Sequence, residues 1–73
     1  MGLPDLIIVF NNGEVSFFIR GTDYKNREEA INIGIKKWNQ YIAYVMQEAD
    51  KPEELNLEIR SINIYEIFME DKV

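Results

Sequence analysis

Asn12-Gly13 separates two short apolar runs, and this dipeptide restricts the fold more than any other feature of the chain. Asn-Gly is the favoured centre of a two-residue type I′ hairpin, because both central positions need a positive φ. Such a turn sets the register. Asn11 falls opposite Glu14, Phe10 opposite Val15, Ile8 opposite Phe17 and Leu6 opposite Ile19. Side chains alternate between the two faces of a strand. One face therefore carries Leu6, Ile8, Phe10, Val15, Phe17 and Ile19. The other carries Ile7, Val9 and Phe18, with Ser16 as its polar member. Both faces are apolar, and one helix covers only one of them.

The remaining pattern supplies that helix. Asn26 has the character of an N-cap, and Glu29 stands three residues on, as in a capping box. Glu28 and Glu29 complement the positive end of the helix dipole. Ile31, Ile35, Trp38, Ile42, Val45 and Ala49 recur at alternating steps of four and three, which places them on one stripe. Trp38 on that stripe is a core residue, while Tyr41 and Tyr44 flank it. Pro52 disfavours helical geometry at Lys51, so the helix ends near Ala49 or Asp50, after about 35 Å. Gly34 inside it costs about 1 kcal/mol against alanine, which points to close packing against the sheet or a second helix.

A third strand is expected over residues 55–68. Leu55, Leu57 and Ile59 are apolar at odd positions, and Ile62, Ile64 and Phe68 at even ones. The phase changes at Arg60-Ser61, which predicts a β-bulge or bend there. Tyr65, Ile67 and Met69 make the opposite side apolar too. A short terminal helix through Ile64, Ile67 and Phe68 is the other reading of this segment.

Chain direction limits the topology. The helix returns the chain to the start of the second strand, so the third strand runs antiparallel to the first. The first strand is the most uniformly apolar and suits the centre. The expected fold is α+β: a single ββαβ domain over residues 1–73, with a three-stranded antiparallel sheet in order 2-1-3 and one long helix packed on one face. The alternative is order 1-2-3 with a right-handed parallel crossover.

Composition bounds the chemistry. Seventy-three residues sit near the size where one core only just offsets chain entropy. The chain contains no Cys and no His. Disulfides, zinc sites with those ligands and His-based catalysis are thereby excluded. Cysteine absence fits a reducing compartment, and the cytoplasm is the expected location. The apolar run at residues 6–10 is too short for a membrane span or a signal peptide. The net charge of -5 disfavours direct binding to nucleic acid, and Lys36-Lys37 is the only adjacent basic pair. Phe17 and Phe18 on the hairpin lack the basic surround that a stacking platform for single strands needs.

Catalytic groupings are weak. Glu48, Asp50, Glu53, Glu54 and Glu58 surround the expected helix-to-strand connection, without the spacing of an EF-hand loop. They read as a solvated acidic loop. Ser16 and Ser61 have no histidine to activate them, and Gly13 and Gly21 do not form a phosphate loop. No enzyme, metal or cofactor is expected. The hairpin, the Gly21-Thr22 turn and the helix opening Arg27-Glu28-Glu29-Ala30 are similar to HicB-type antitoxins over a short stretch. The additional strand usual there is not evident, and the similarity implies no functional residue.

The function expected is that of a non-enzymatic interaction module. It is a small homodimer or an inhibitor docking on a protein, of a kind suited to a phage or mobile-element accessory protein. The expected interface residues are Ile7, Val9, Phe18, Tyr65, Ile67 and Met69, because contiguous exposed apolar surface on a small domain marks a binding site. The second hypothesis is an acidic decoy that blocks a nucleic-acid-binding protein. A hydrolase built on carboxylates alone is the third.

Overall fold

The computed structural model describes residues 2–67. Strand β1 is Asp5–Phe10, β2 is Val15–Ile19, helix α1 is Arg27–Glu48 and β3 is Ile62–Ile67. The three strands form one antiparallel sheet in the order β2-β1-β3, with β1 central. The helix covers one face, so the expected α+β architecture and strand order are those observed.

From Leu6 to Phe10 the hairpin register agrees with the expected one, while the expected Asn11–Glu14 pair falls in the turn, outside the ladder. Phe10 faces Val15, Ile8 faces Phe17 and Leu6 faces Ile19. Asn12 (φ 56°, ψ 35°) and Gly13 (φ 103°) take the left-handed geometry of a type I′ turn, closed by the Glu14 amide donating to the Asn11 carbonyl at 3.4 Å. Asn11 also has a positive φ, of 54°, which the turn alone does not require.

The cause lies in β3. The Asn11 side chain is buried, with 4% of its surface exposed, and it holds the chain entering that strand. Its Oδ1 accepts from the Arg60 amide at 2.6 Å and from the Ser61 amide at 3.3 Å. Its Nδ2 donates to the Glu58 carbonyl at 3.0 Å, and its own amide donates to the Ser61 carbonyl at 2.9 Å. Asn12 adds a bond from its amide to Ser61 Oγ at 3.2 Å. Outside this cluster, Arg60 pairs with Glu14 at 2.8 Å.

Residues 55–61 are not a strand, which corrects the expected start of the third strand and removes the bulge at Arg60-Ser61. The reason is lack of a neighbour. Ile62 pairs with Phe10, the last residue of β1. One step earlier the chain faces Asn11, where β1 has already turned away. The alternation of Leu55, Leu57 and Ile59 therefore finds no ladder, and Leu55 and Ile59 are exposed. Pro52–Glu54 forms one 3₁₀ turn in the same connection. Within β3 the expected phase holds, since Ile62 and Ile64 pack against the core. Phe68 and Met69 lie outside the described residues.

The helix starts where its cap predicts. Asn26 Oδ1 accepts from the Glu29 amide at 2.8 Å. The Glu29 carboxylate reaches back to the Lys25 amide at 2.8 Å, one residue before the position a capping box would use. The buried line is Ala30, Gly34 and Trp38, with Ile33 and Ile42 packed against the core. Ile31, Ile35, Val45 and Ala49 are only half-buried, so the expected stripe is rotated toward its small residues. Gly34 explains the rotation. A Cβ on it would stand 2.8 Å from Ile8 Cδ1 and 3.3 Å from Ile8 Cγ2. The helix rests there directly on the centre of the sheet, as its glycine suggested.

Leu6, Ile8, Phe10, Ile19, Tyr24, Ala30 and Trp38 make the buried core. Phe10 lies 5.0 Å from Trp38 and 5.7 Å edge-on from Phe17, by ring centroids. Tyr41 closes this group at 6.4 Å from Phe17 and 6.0 Å from Trp38. Trp38→Ala should cost about 3–5 kcal/mol, because removal of a buried aromatic leaves a cavity. Chemical denaturation measures that loss, and blue-shifted tryptophan emission in the native protein checks the burial. Asn11→Ala should cost about 1–3 kcal/mol through polar groups left unpaired. Hydrogen exchange should show the loss concentrated in residues 58–64. An unchanged midpoint would remove Asn11 from its role as the tie between hairpin and β3.

Candidate functional site

The face of the sheet opposite the helix is built from alternate residues of all three strands. β1 contributes Ile7 and Val9, β2 contributes Phe18 and Ser16, and β3 contributes Tyr65, Ile67 and Asn63. The ladder fixes their neighbours. Ile7 stands between Phe18 on one side and Tyr65 on the other, so an aromatic–aliphatic–aromatic row crosses the sheet. Val9 stands between Ser16 and Asn63, and Ile67 faces Asp5. Among the described residues no element covers this face. Phe18 is 51% exposed and Tyr65 57%, while Ile7, Val9 and Ile67 are half-buried by their own strand neighbours.

Five of the expected interface residues are thereby brought together: Ile7, Val9, Phe18, Tyr65 and Ile67. Met69 lies outside the described residues. The polar share of the face is larger than Ser16 alone, since Asn63 and Asp5 join it at its margins. Both follow from strand parity alone, Asp5 with Ile7 and Val9 in β1 and Asn63 with Tyr65 and Ile67 in β3.

A second concave region lies on the helix side, at the far end of the sheet from the hairpin. It is a cavity of about 340 Å³ lined by Leu3, Leu6, Tyr24, Arg27, Ile64 and Glu66, among others. Tyr24 is its most constrained member. Its hydroxyl donates to the Pro4 carbonyl at 2.5 Å, and its ring is 7% exposed. Nearby, Asp5 accepts from the Gly21 amide at 2.7 Å. These two bonds anchor the start of β1 to the loop before the helix. The Thr22-Asp23-Tyr24 turn thus holds a core residue, which local pattern did not reveal.

Burial pushes the Tyr24 phenol above its ordinary value of 10.0, and the negative charges of Glu66 and Asp5 push it further the same way. The fold therefore favours the neutral phenol. Its contribution to stability is complete below pH 10.0 and is lost as pH rises through the higher folded value. An ultraviolet titration should contain a tyrosine step above pH 10.0 that Tyr24→Phe removes. Persistence of the full step in that variant would reassign it.

The acidic connection does not converge. Among the described residues no three Asp or Glu side chains are placed to hold a metal ion. Glu54 pairs with Lys51 at 4.0 Å, with both side chains about two-thirds exposed (68% and 69%). No helix among the described residues is long and apolar enough to cross a membrane. No family model, no curated protein and no solved structure matches this chain.

Proposed function

We propose that the chain is a non-enzymatic protein-interaction module. It binds a protein through the open face of its sheet, as a small homodimer or as an inhibitor docking on another protein. The observation that carries this reading is the Phe18–Ile7–Tyr65 row, continued by Val9 and Ile67, on a face that no described element covers. Large aromatic side chains held in place by a sheet lose little conformational freedom on binding, and they are enriched at the centres of interfaces. The row is uncharged. Docking on it buries apolar area and depends weakly on ionic strength.

Site-specific photo-crosslinking in the native host tests this. A photoreactive phenylalanine analogue replaces Phe18 or Tyr65 in turn, and Asn32, on the exposed side of the helix, serves as control. Discrete adducts are expected from positions 18 and 65 and none from position 32. Their yield should survive high salt and fall at position 18 when Tyr65→Asp is added. Adducts absent from both face positions, or equally strong at position 32, would overturn the reading. The adduct mass separates a second copy from a different protein.

A further inference from the structure

Strand β2 is an edge of the sheet, and among the described residues no strand lies along its outer side. Natural edge strands usually carry a charge, a proline or a bulge that prevents further pairing. Residues 15–19, Val-Ser-Phe-Phe-Ile, have no charge or proline, and they keep an unbroken ladder with β1. We propose that β2 pairs antiparallel with β2 of a second copy, so that two chains form one six-stranded sheet. The pairing rests on the interaction reading only in what the enlarged face is used for, and its test reads the edge directly.

The strand is complementary to itself in one register. Centred on Phe17, an antiparallel pair uses all five residues: Phe17 meets Phe17, Ser16 meets Phe18 and Val15 meets Ile19. Shifting the centre to Ser16 or to Phe18 pushes strand residues past the end. Just beyond the strand stand Glu14, which pairs with Arg60 of its own chain, and Arg20, and this register brings Arg20 of one copy toward Glu14 of the other. Parallel pairing would set Glu14 against Glu14 and Arg20 against Arg20. Like charges directly opposite are destabilising in a sheet.

The helix side of the edge agrees. Phe17 is half-buried there against Tyr41, which is 38% exposed. A second copy brings its own Phe17 and Tyr41 to that rim. At Gly34 the helix sits over Ile8 of the central strand, and toward the hairpin it packs on β2 itself through Tyr41.

Area gives the reason for the assembly. Three strands of five or six residues present a face of about 14 by 20 Å. A stable interface takes about 800 Å² from each partner. Edge pairing doubles the open face, brings it nearer that scale and places the two Phe18 side chains near its centre.

The chain contains no cysteine, so single labels can be introduced cleanly. Nitroxides at Ser16→Cys and Asn63→Cys both sit on the open face, on opposite edge strands. Pairing at β2 places the two residues 16 about 8 Å apart and the two residues 63 about 25 Å apart, from strand spacing and rise. Strong line broadening at position 16 with a long dipolar distance at position 63 is the expected result. The reverse pattern would assign the contact to β3. Short and similar distances at both positions would mean face-to-face packing, and no coupling at either would mean a monomer; each overturns the proposal. Hydrogen exchange on the unmodified chain gives a second measurement. The amides of residues 15–19 should gain protection with rising concentration, and unchanged exchange would count against the pairing.

Discussion

Everything else in this molecule is arranged around the contact between Gly34 and Ile8. Ile8 is the middle apolar residue of the central strand and is wholly buried. Because Gly34 has no side chain, the helix axis comes close to the sheet at that point. Ala30 lies one turn before it and Trp38 one turn after, which lets the helix run from the Tyr24 corner over Ile8 to the hairpin end, where it packs on β2. Trp38 then reaches Phe10 and joins the aromatic group with Phe17 and Tyr41. A larger residue at position 34 would lift the helix, loosen that group and expose the apolar inner side of the sheet.

The same contact decides which face stays open. Among the described residues one helix is long enough to cover the sheet, and none lies on its other side. The helix is about 33 Å long against about 20 Å for the strands, so its last turns run past the hairpin. Tyr44 and Met46 on those turns are exposed. Coverage by the described residues is therefore uneven: helix in excess at one end, none on the far face.

Local signals were legible in the sequence, and tertiary ones were not. Asn12-Gly13 specified the hairpin register, and Asn26 marked the helix start, because each acts within a few residues of chain. The strand order followed from chain direction and from the apolar character of β1. Strand parity then placed Ile7, Val9 and Phe18 on one face. The start of β3 was misplaced because alternation in residues 55–59 looks the same with or without a neighbouring strand. Burial on the helix favoured Ala30 and Gly34 over Ile31 and Ile35, since close approach outweighs side-chain size when the partner surface is a flat sheet. The roles of Asn11, Asp5 and Tyr24 rest on bonds to residues distant in the chain, and no local pattern announces them.

Asn11 separates the placement of β3 from the length of the chain that delivers it. Most hairpins and crossovers set a strand's register through the connection itself. Here the connection over residues 49–61 is largely irregular, and the strand is indexed at its entry by one amide side chain that grips Glu58, Arg60 and Ser61. Insertions or deletions among residues 50–57 would leave that grip intact, because closing a longer flexible loop adds only a slowly growing entropic cost. Related chains can therefore differ widely in this connection and still present the same open face, and the region is a natural place to graft a peptide or divide the polypeptide in two.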